Sequence, residues 1–388
     1  MPVRSWVSLL GRVAVVGVLL WAADSRAQAA ETAAPRALAG QDAVDLANGT
    51  STTAGVAATV ATTSAGWSTS TVDATGGFMS SLAFAPNGYP AIGYSGSNDE
   101  VRFAAWDGAI WSSQIVTRER VSGNGISLAY DSNGDPSLSY SPGGLKFARW
   151  NGSSWSIQTI ERGSWVNGVT SLVYQGGQPS IAYIGKAGLK LAVASGPTWT
   201  TAIVDGTGSS YPSLAYAPDG NPSIAYRAAS GSLDALKFAH KSSSGWTIQV
   251  VETGATGTGV FASLAYDPLG GNPTIAYTDS GGGHVKFAFF DGSSWNVEVV
   301  ASNAHYAWLS YDSAGTASIA YTTSGDSQLQ FAQRSGCPAA CWQTQVVEDE
   351  SPNRAQWRPT LAFSRTNAAS ISFGINVNQG LKFAQQVP

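Results

Sequence analysis

The chain has 388 residues, a formal net charge of −4 and only 12% charged residues. With no basic run it offers phosphate no electrostatic footprint, so nucleic acid is excluded as an expected partner. Its 44 glycines and 14 tryptophans suit many tight turns secured by large buried anchors.

Residues 1–30 read as a secretory signal peptide. Arg4 and Arg12 precede the apolar run Val13–Ala23, and Ala27-Gln28-Ala29 supplies small residues for cleavage. That run is 11 residues long, short of the about 20 needed to span a bilayer. The expected location is therefore secreted or periplasmic, with no membrane span. Residues 31–65, rich in Ala, Thr and Ser, read as a flexible lead-in that cannot bury enough surface to order itself.

From residue 66 to 388 one unit recurs: Ser-Leu-Ala-Tyr, a turn, Pro-Ser-Ile-Ala-Tyr, a loop, Leu-Lys-Phe-Ala, a turn, then Trp and a closing Val. Its first leucine returns at Leu82, Leu128, Leu172, Leu214, Leu264, Leu309 and Leu361, at spacings of 42 to 52 residues. That period, with a set of short apolar runs per unit, predicts an all-β, seven-bladed β-propeller with four antiparallel strands per blade. Asn87-Gly88, Asn133-Gly134 and Asp219-Gly220 mark the first hairpins. Taken run by run, alternation puts Leu264, Tyr266, Ile275, Tyr277, Val285 and Phe287 on a bulky face, and Ala265, Ala276 and Ala288 on a small one. Both faces are apolar, so each blade is expected to stack its bulky face on its neighbour's small face. The last unit has only three runs, ending at Leu381–Gln385. The missing fourth matches Gly66–Val72, so the N-terminal strand is expected to complete the last blade and close the circle.

The tryptophans Trp67, Trp111, Trp155, Trp199, Trp246, Trp295 and Trp342 share one position in the outer strand and are read as structural anchors rather than ligand platforms. Lys146, Lys190, Lys237, Lys286 and Lys382 share another, and are expected to lift their amines to solvent. Cys337 and Cys341 are expected to form a local disulfide in the sixth unit. Asp131-Ser132-Asn133-Gly134-Asp135 opens like a calcium loop, but Pro142 stands where a bidentate glutamate is needed. No metal and no cofactor is expected.

Variation concentrates in the crossovers between units. Asp73, Glu161, Asp205, Glu252 and Glu348 follow the outer strands, and Phe78, Trp165, Tyr211, Phe261, Tyr306, Trp308 and Trp357 precede the inner ones. Aromatic faces beside charged donors suit a sugar or a peptide. The least repetitive crossovers, Ala304–Trp308 and Asn353–Arg358, direct attention to His305, Tyr306, Trp308, Trp357 and Arg358, with Trp165, Tyr211 and Arg227 on the same rim. The expected function is recognition: an exported propeller, acting as a monomer, that binds a glycan or an extracellular protein through this rim. The alternatives are a secreted hydrolase or lyase acting on a carbohydrate or small molecule there, and a structural surface protein. No HExxH, GxSxG or phosphate-loop motif supports an enzyme.

Ser127–Pro136 followed by Leu145–Trp155 resembles the repeats of secreted bacterial seven-bladed propellers of the sialidase-like group. The resemblance spans residues 66–388 and implies the fold. It does not carry sialidase activity, because no Asp-box and no assignable arginine triad is present. Nor does each unit hold the Arg, Glu and Trp set of fucose lectins.

Overall fold

The computed structural model describes residues 63–387, apart from 65, 78, 122–124, 164–167, 231–232, 255–256, 326–327, 336–340, 350–355 and 376–379. The signal peptide, nearly all of the lead-in, Phe78 and Trp165 lie outside the described residues, as does Cys337 and with it the expected disulfide.

Every described element is a strand, and the strands form seven sheets, each holding four antiparallel strands in up-and-down order. Six blades span 80–117, 127–162, 171–205, 209–254, 258–302 and 304–349. The seventh takes three strands from 356–386 and its outer strand from Trp67–Asp73. That strand runs along Leu381–Gln386, from Trp67 opposite Gln386 to Asp73 opposite Leu381. The fourth strand missing from the last repeat is thus supplied from the N-terminal side. A short rung, Thr63–Ser64, adds to its outer edge, an element the repeat did not foretell.

The packing corrects the expected division of faces. In an antiparallel ladder, directly opposed residues share a face. In the fifth blade Leu264 opposes Ile275, and Ile275 opposes Ala288, while Ala276 opposes Phe287. One face therefore carries Leu264, Ile275 and Tyr277 with Ala288. The other carries Ala276 with Val285 and Phe287. The bulk is split between the two faces, and neighbours interdigitate. Leu236 and Phe238 of the fourth blade fill the space over Ala288, against Leu264, Ile275 and Tyr277 of the fifth. Alternation within a run is correct; the register between runs, which turn geometry sets, decides which runs share a side.

Two devices clamp neighbouring blades. The serine before each inner leucine accepts the N–H of the next blade's leucine: Leu128 to Ser81, Leu172 to Ser127, Leu214 to Ser171, Leu264 to Ser213 and Leu309 to Ser263, all at 2.9–3.0 Å. Thr360 does the same for Leu82 across the closing seam, at 3.1 Å. At the sixth position this residue is Trp308. The outer-strand tryptophans form the second clamp. Trp67, Trp111, Trp155, Trp199, Trp295 and Trp342 each meet a phenylalanine of the preceding blade edge-on, at 5.1–5.4 Å. Trp67 is fully buried, and its indole N–H donates to Gln345 at 3.2 Å. These contacts make the column an inter-blade anchor.

Candidate functional site

Four blades begin their inner strand with a bulge. The register slips between Ser210 and Ser213, Val260 and Ser263, His305 and Trp308, and Trp357 and Thr360. Inside each slip one bulky residue takes a left-handed backbone: Tyr211 (φ 54°), Phe261 (54°), Tyr306 (59°) and Arg358 (38°). Such a conformation costs about 1–2 kcal/mol for a side chain with a Cβ. The equivalent residues of the first three blades, Met79, Gly125 and Val169, show no positive φ. Four blades of the rim are thus built differently from the other three.

These side chains converge. Residues from all seven blades, including Met79, Gly125, Val169, Tyr211, Phe261, Tyr306 and Arg358, line one cavity of about 80 Å3. A space bordered by every blade lies on the axis of the circle, at the end where the crossovers enter. Tyr211, Phe261 and Tyr306 pack in series, with ring centroids 4.6 and 4.7 Å apart. The Arg358 guanidinium lies over Phe261 at 4.5 Å and Tyr211 at 5.9 Å. One of its nitrogens donates to the Met79 sulfur at 3.2 Å, across the closing seam. Burial pushes its pKa below that of a free arginine, opposed by Tyr211 and Tyr306. Trp308 also borders the cavity and remains 36% exposed. Ser80, Ser127, Ser171, Ser213, Thr170 and Thr360 complete the lining, their hydroxyls held in bonds within and between blades.

Of the residues singled out from sequence, Tyr211, Tyr306, Trp308 and Arg358 meet at this mouth. His305 does not line it. Its Nε2 lies 3.3 Å from the Ser324 hydroxyl, further out on the rim. Arg227 is held elsewhere, by Asp234 at 2.7 Å and by Ser210 at 3.1 Å, so its charge is already matched within its own blade. Trp357 opposes Gly374 in the seventh blade, and its side chain falls outside the described residues. Phe261, counted from sequence among the crossover aromatics, and Met79, which was not, complete the cluster. The signal was present, since both fall in the repeat column two residues before the inner Ser-Leu pair.

The crossover acids serve the scaffold. A bulge just before each one turns the outer strand inward. Asp205 then accepts the Tyr226 hydroxyl at 2.6 Å and Lys237 at 3.0 Å, both from the next blade. Glu161 does likewise with Tyr183 and Lys190, Glu252 with Tyr277 and Lys286, and Asp73 with Tyr94 and Arg102. Glu348 pairs with Lys382. The lysines are therefore ion-paired between blades, contrary to the expectation that they reach solvent. Their partners come from the preceding unit, too far along the chain for local patterning to show. Burial alone raises the Asp205 carboxyl, but hydrogen bonds from Tyr226, Thr207 and Lys237 outweigh it and hold its pKa down to about 2. The sixth blade loses both partners together: Ala301 stands for the acid and Gln330 for the lysine. At the calcium-like turn, Asp131 accepts the N–H groups of Asn133 and Asp135 and pairs with Arg149, as a hairpin cap does.

No protein-family model and no curated protein matches the chain. Solved structures do. An ulvan lyase, a polysaccharide lyase bound to a GlcA-containing ligand, is 12% identical at a TM-score of 0.57, covering 80% of this chain and 94% of its own. YCF48 bound to the D1 peptide is 16% identical at 0.54, covering 85% and 98%. A protein of unknown function from Dyadobacter fermentans is 11% identical at 0.53, covering 88% and 100%. At these identities the likeness shows the fold: this chain is a seven-bladed β-propeller.

Proposed function

We propose that the protein is an exported recognition propeller that binds a glycan or an extracellular protein at the crossover-side mouth of its axis. The observation that carries this reading is the asymmetric mouth: Tyr211, Phe261, Tyr306 and Arg358 held in left-handed bulges, with Trp308 exposed beside them. Strained side chains that converge on one cavity point to a role beyond packing. Export rests on the leader at residues 1–30. Propellers of this fold bound to a GlcA-containing ligand and to a peptide support both ligand classes. Recognition is favoured over hydrolysis because, among the described residues, no carboxylate and no imidazole lines the mouth to act as general acid or base.

The test is a glycan array with a parallel pull-down from secreted material, run on the mature chain and on Trp308→Ala. A central aromatic anchor is worth about 2 kcal/mol or more, roughly a 30-fold loss of affinity. Hits that weaken by that factor in Trp308→Ala, with an unchanged melting temperature, support the reading. Blank results on both assays, or hits indifferent to Trp308, overturn it.

A further inference from the structure

We infer that Arg358 is a carboxylate-binding residue and that the mouth takes the uronate group of an acidic glycan. The inference rests on the proposed role of the mouth and names the ligand chemistry it would select. A guanidinium carries five N–H donors in a planar fork suited to a carboxylate. Arg358 uses one of them on a thioether, which is a weak acceptor, and covers its faces with Phe261 and Tyr211. No carboxylate pairs with it among the described residues.

Other shielded basic side chains of the ring are matched to an acid. Arg102 has Glu100, Lys190 has Glu161, Arg227 has Asp234, Lys237 has Asp205, Lys286 has Glu252 and Lys382 has Glu348. Burying a charge without a counter-charge opposes folding. The mouth keeps one, in a strained backbone, followed by Pro359, whose ring fixes the next φ. Such an arrangement is pre-organised for a negative group that arrives from outside.

The cavity of about 80 Å3 has room for a carboxylate beside Arg358. The sugar ring would sit at the rim, where Trp308 offers an exposed indole face. An indole face beside a guanidinium fork suits a uronate, whose ring lies against the aromatic while its carboxylate pairs with the arginine.

The probes are a disaccharide ending in glucuronate, the same disaccharide with that carboxyl reduced to an alcohol, and a short glutamate-rich peptide. Binding is followed by calorimetry and tryptophan fluorescence at low and physiological salt. The acidic sugar is expected to bind at least about tenfold more tightly than the reduced one, with the gap narrowing as salt rises. Arg358→Gln should erase that preference while leaving the weak binding of the reduced sugar. Arg358→Lys, which keeps the charge without the fork, should retain part of it, and melting curves check that both variants fold. Equal binding of the two sugars, or a preference that survives Arg358→Gln, overturns the inference and leaves the mouth as a neutral-sugar site sensitive to Trp308→Ala. Arg358-dependent binding of the peptide alone overturns the glycan assignment. Silence from both sugars and the peptide, with a blank array, counts against the mouth itself.

Discussion

Gly93 stands where other blades carry Ala182, Ala225, Ala276 or Ala320 in the second strand. Alanine in a strand normally gains over glycine because it restricts the unfolded chain. Here an added Cβ would meet Leu138 Cδ2 at 2.3 Å and Ile126 Cγ2 at 3.3 Å, both in the buried core of the next blade. The first two blades approach by one methyl group more than their neighbours. Gly93→Ala should therefore destabilise the protein, by about 1–3 kcal/mol for an overpacked core. Chemical denaturation checks the sign, and a stabilised variant would show that the seam has slack. Residue identity was a good guide where the environment is local. Asn-Gly and Asp-Gly turns announced their hairpins. It singled out Arg358 but not its surroundings, which come from Tyr211 and Phe261 of other blades and Met79 across the seam.

Four of the seams join neighbouring blades through an acid, a tyrosine and a base drawn from two repeats. Burial makes these carboxylates costly to ionise, yet hydrogen bonds and the facing bases hold Asp73, Glu161 and Asp205 below ordinary values. A folded-state pKa below that of the unfolded chain stabilises the fold at pH values above the unfolded pKa, about 4. That contribution fades as pH falls from about 4 through the Asp205 value of about 2. Asp205 alone accounts for at most about 2 kcal/mol of it. Urea midpoints measured from pH 7 down to 2 should fall across that window, and Asp205→Asn should flatten the slope while lowering stability at neutral pH. An unchanged slope in the variant would show that the pair is decorative. At this scale the sequence showed the columns but not the connections. The lysine column and the acid column were both visible, and their pairing needed the bulge that turns the outer strand inward. The same bulge logic hid the mouth. A left-handed residue at Tyr211, Phe261, Tyr306 and Arg358 has no signature, since none is glycine or asparagine.

The whole molecule depends on closure. Each blade has two apolar faces, and only a closed circle gives every face a neighbour. The repeat count and the three-stranded final unit made this legible before any coordinates, because a missing strand at one end matched a spare strand at the other. Closure also builds the mouth, since the Arg358 contact to Met79 and the Leu82 contact to Thr360 both cross the seam. The most direct measurement is thermal unfolding of a chain beginning after Asp73, compared with one beginning at Thr63. Loss of the closing strand removes a ladder and the buried Trp67, which alone is worth about 3–5 kcal/mol. We expect the shorter chain to melt lower by about 10 °C or more, or to lose cooperative unfolding altogether. Equal melting temperatures for the two chains would contradict the account, because the circle would then hold without the strand that closes it.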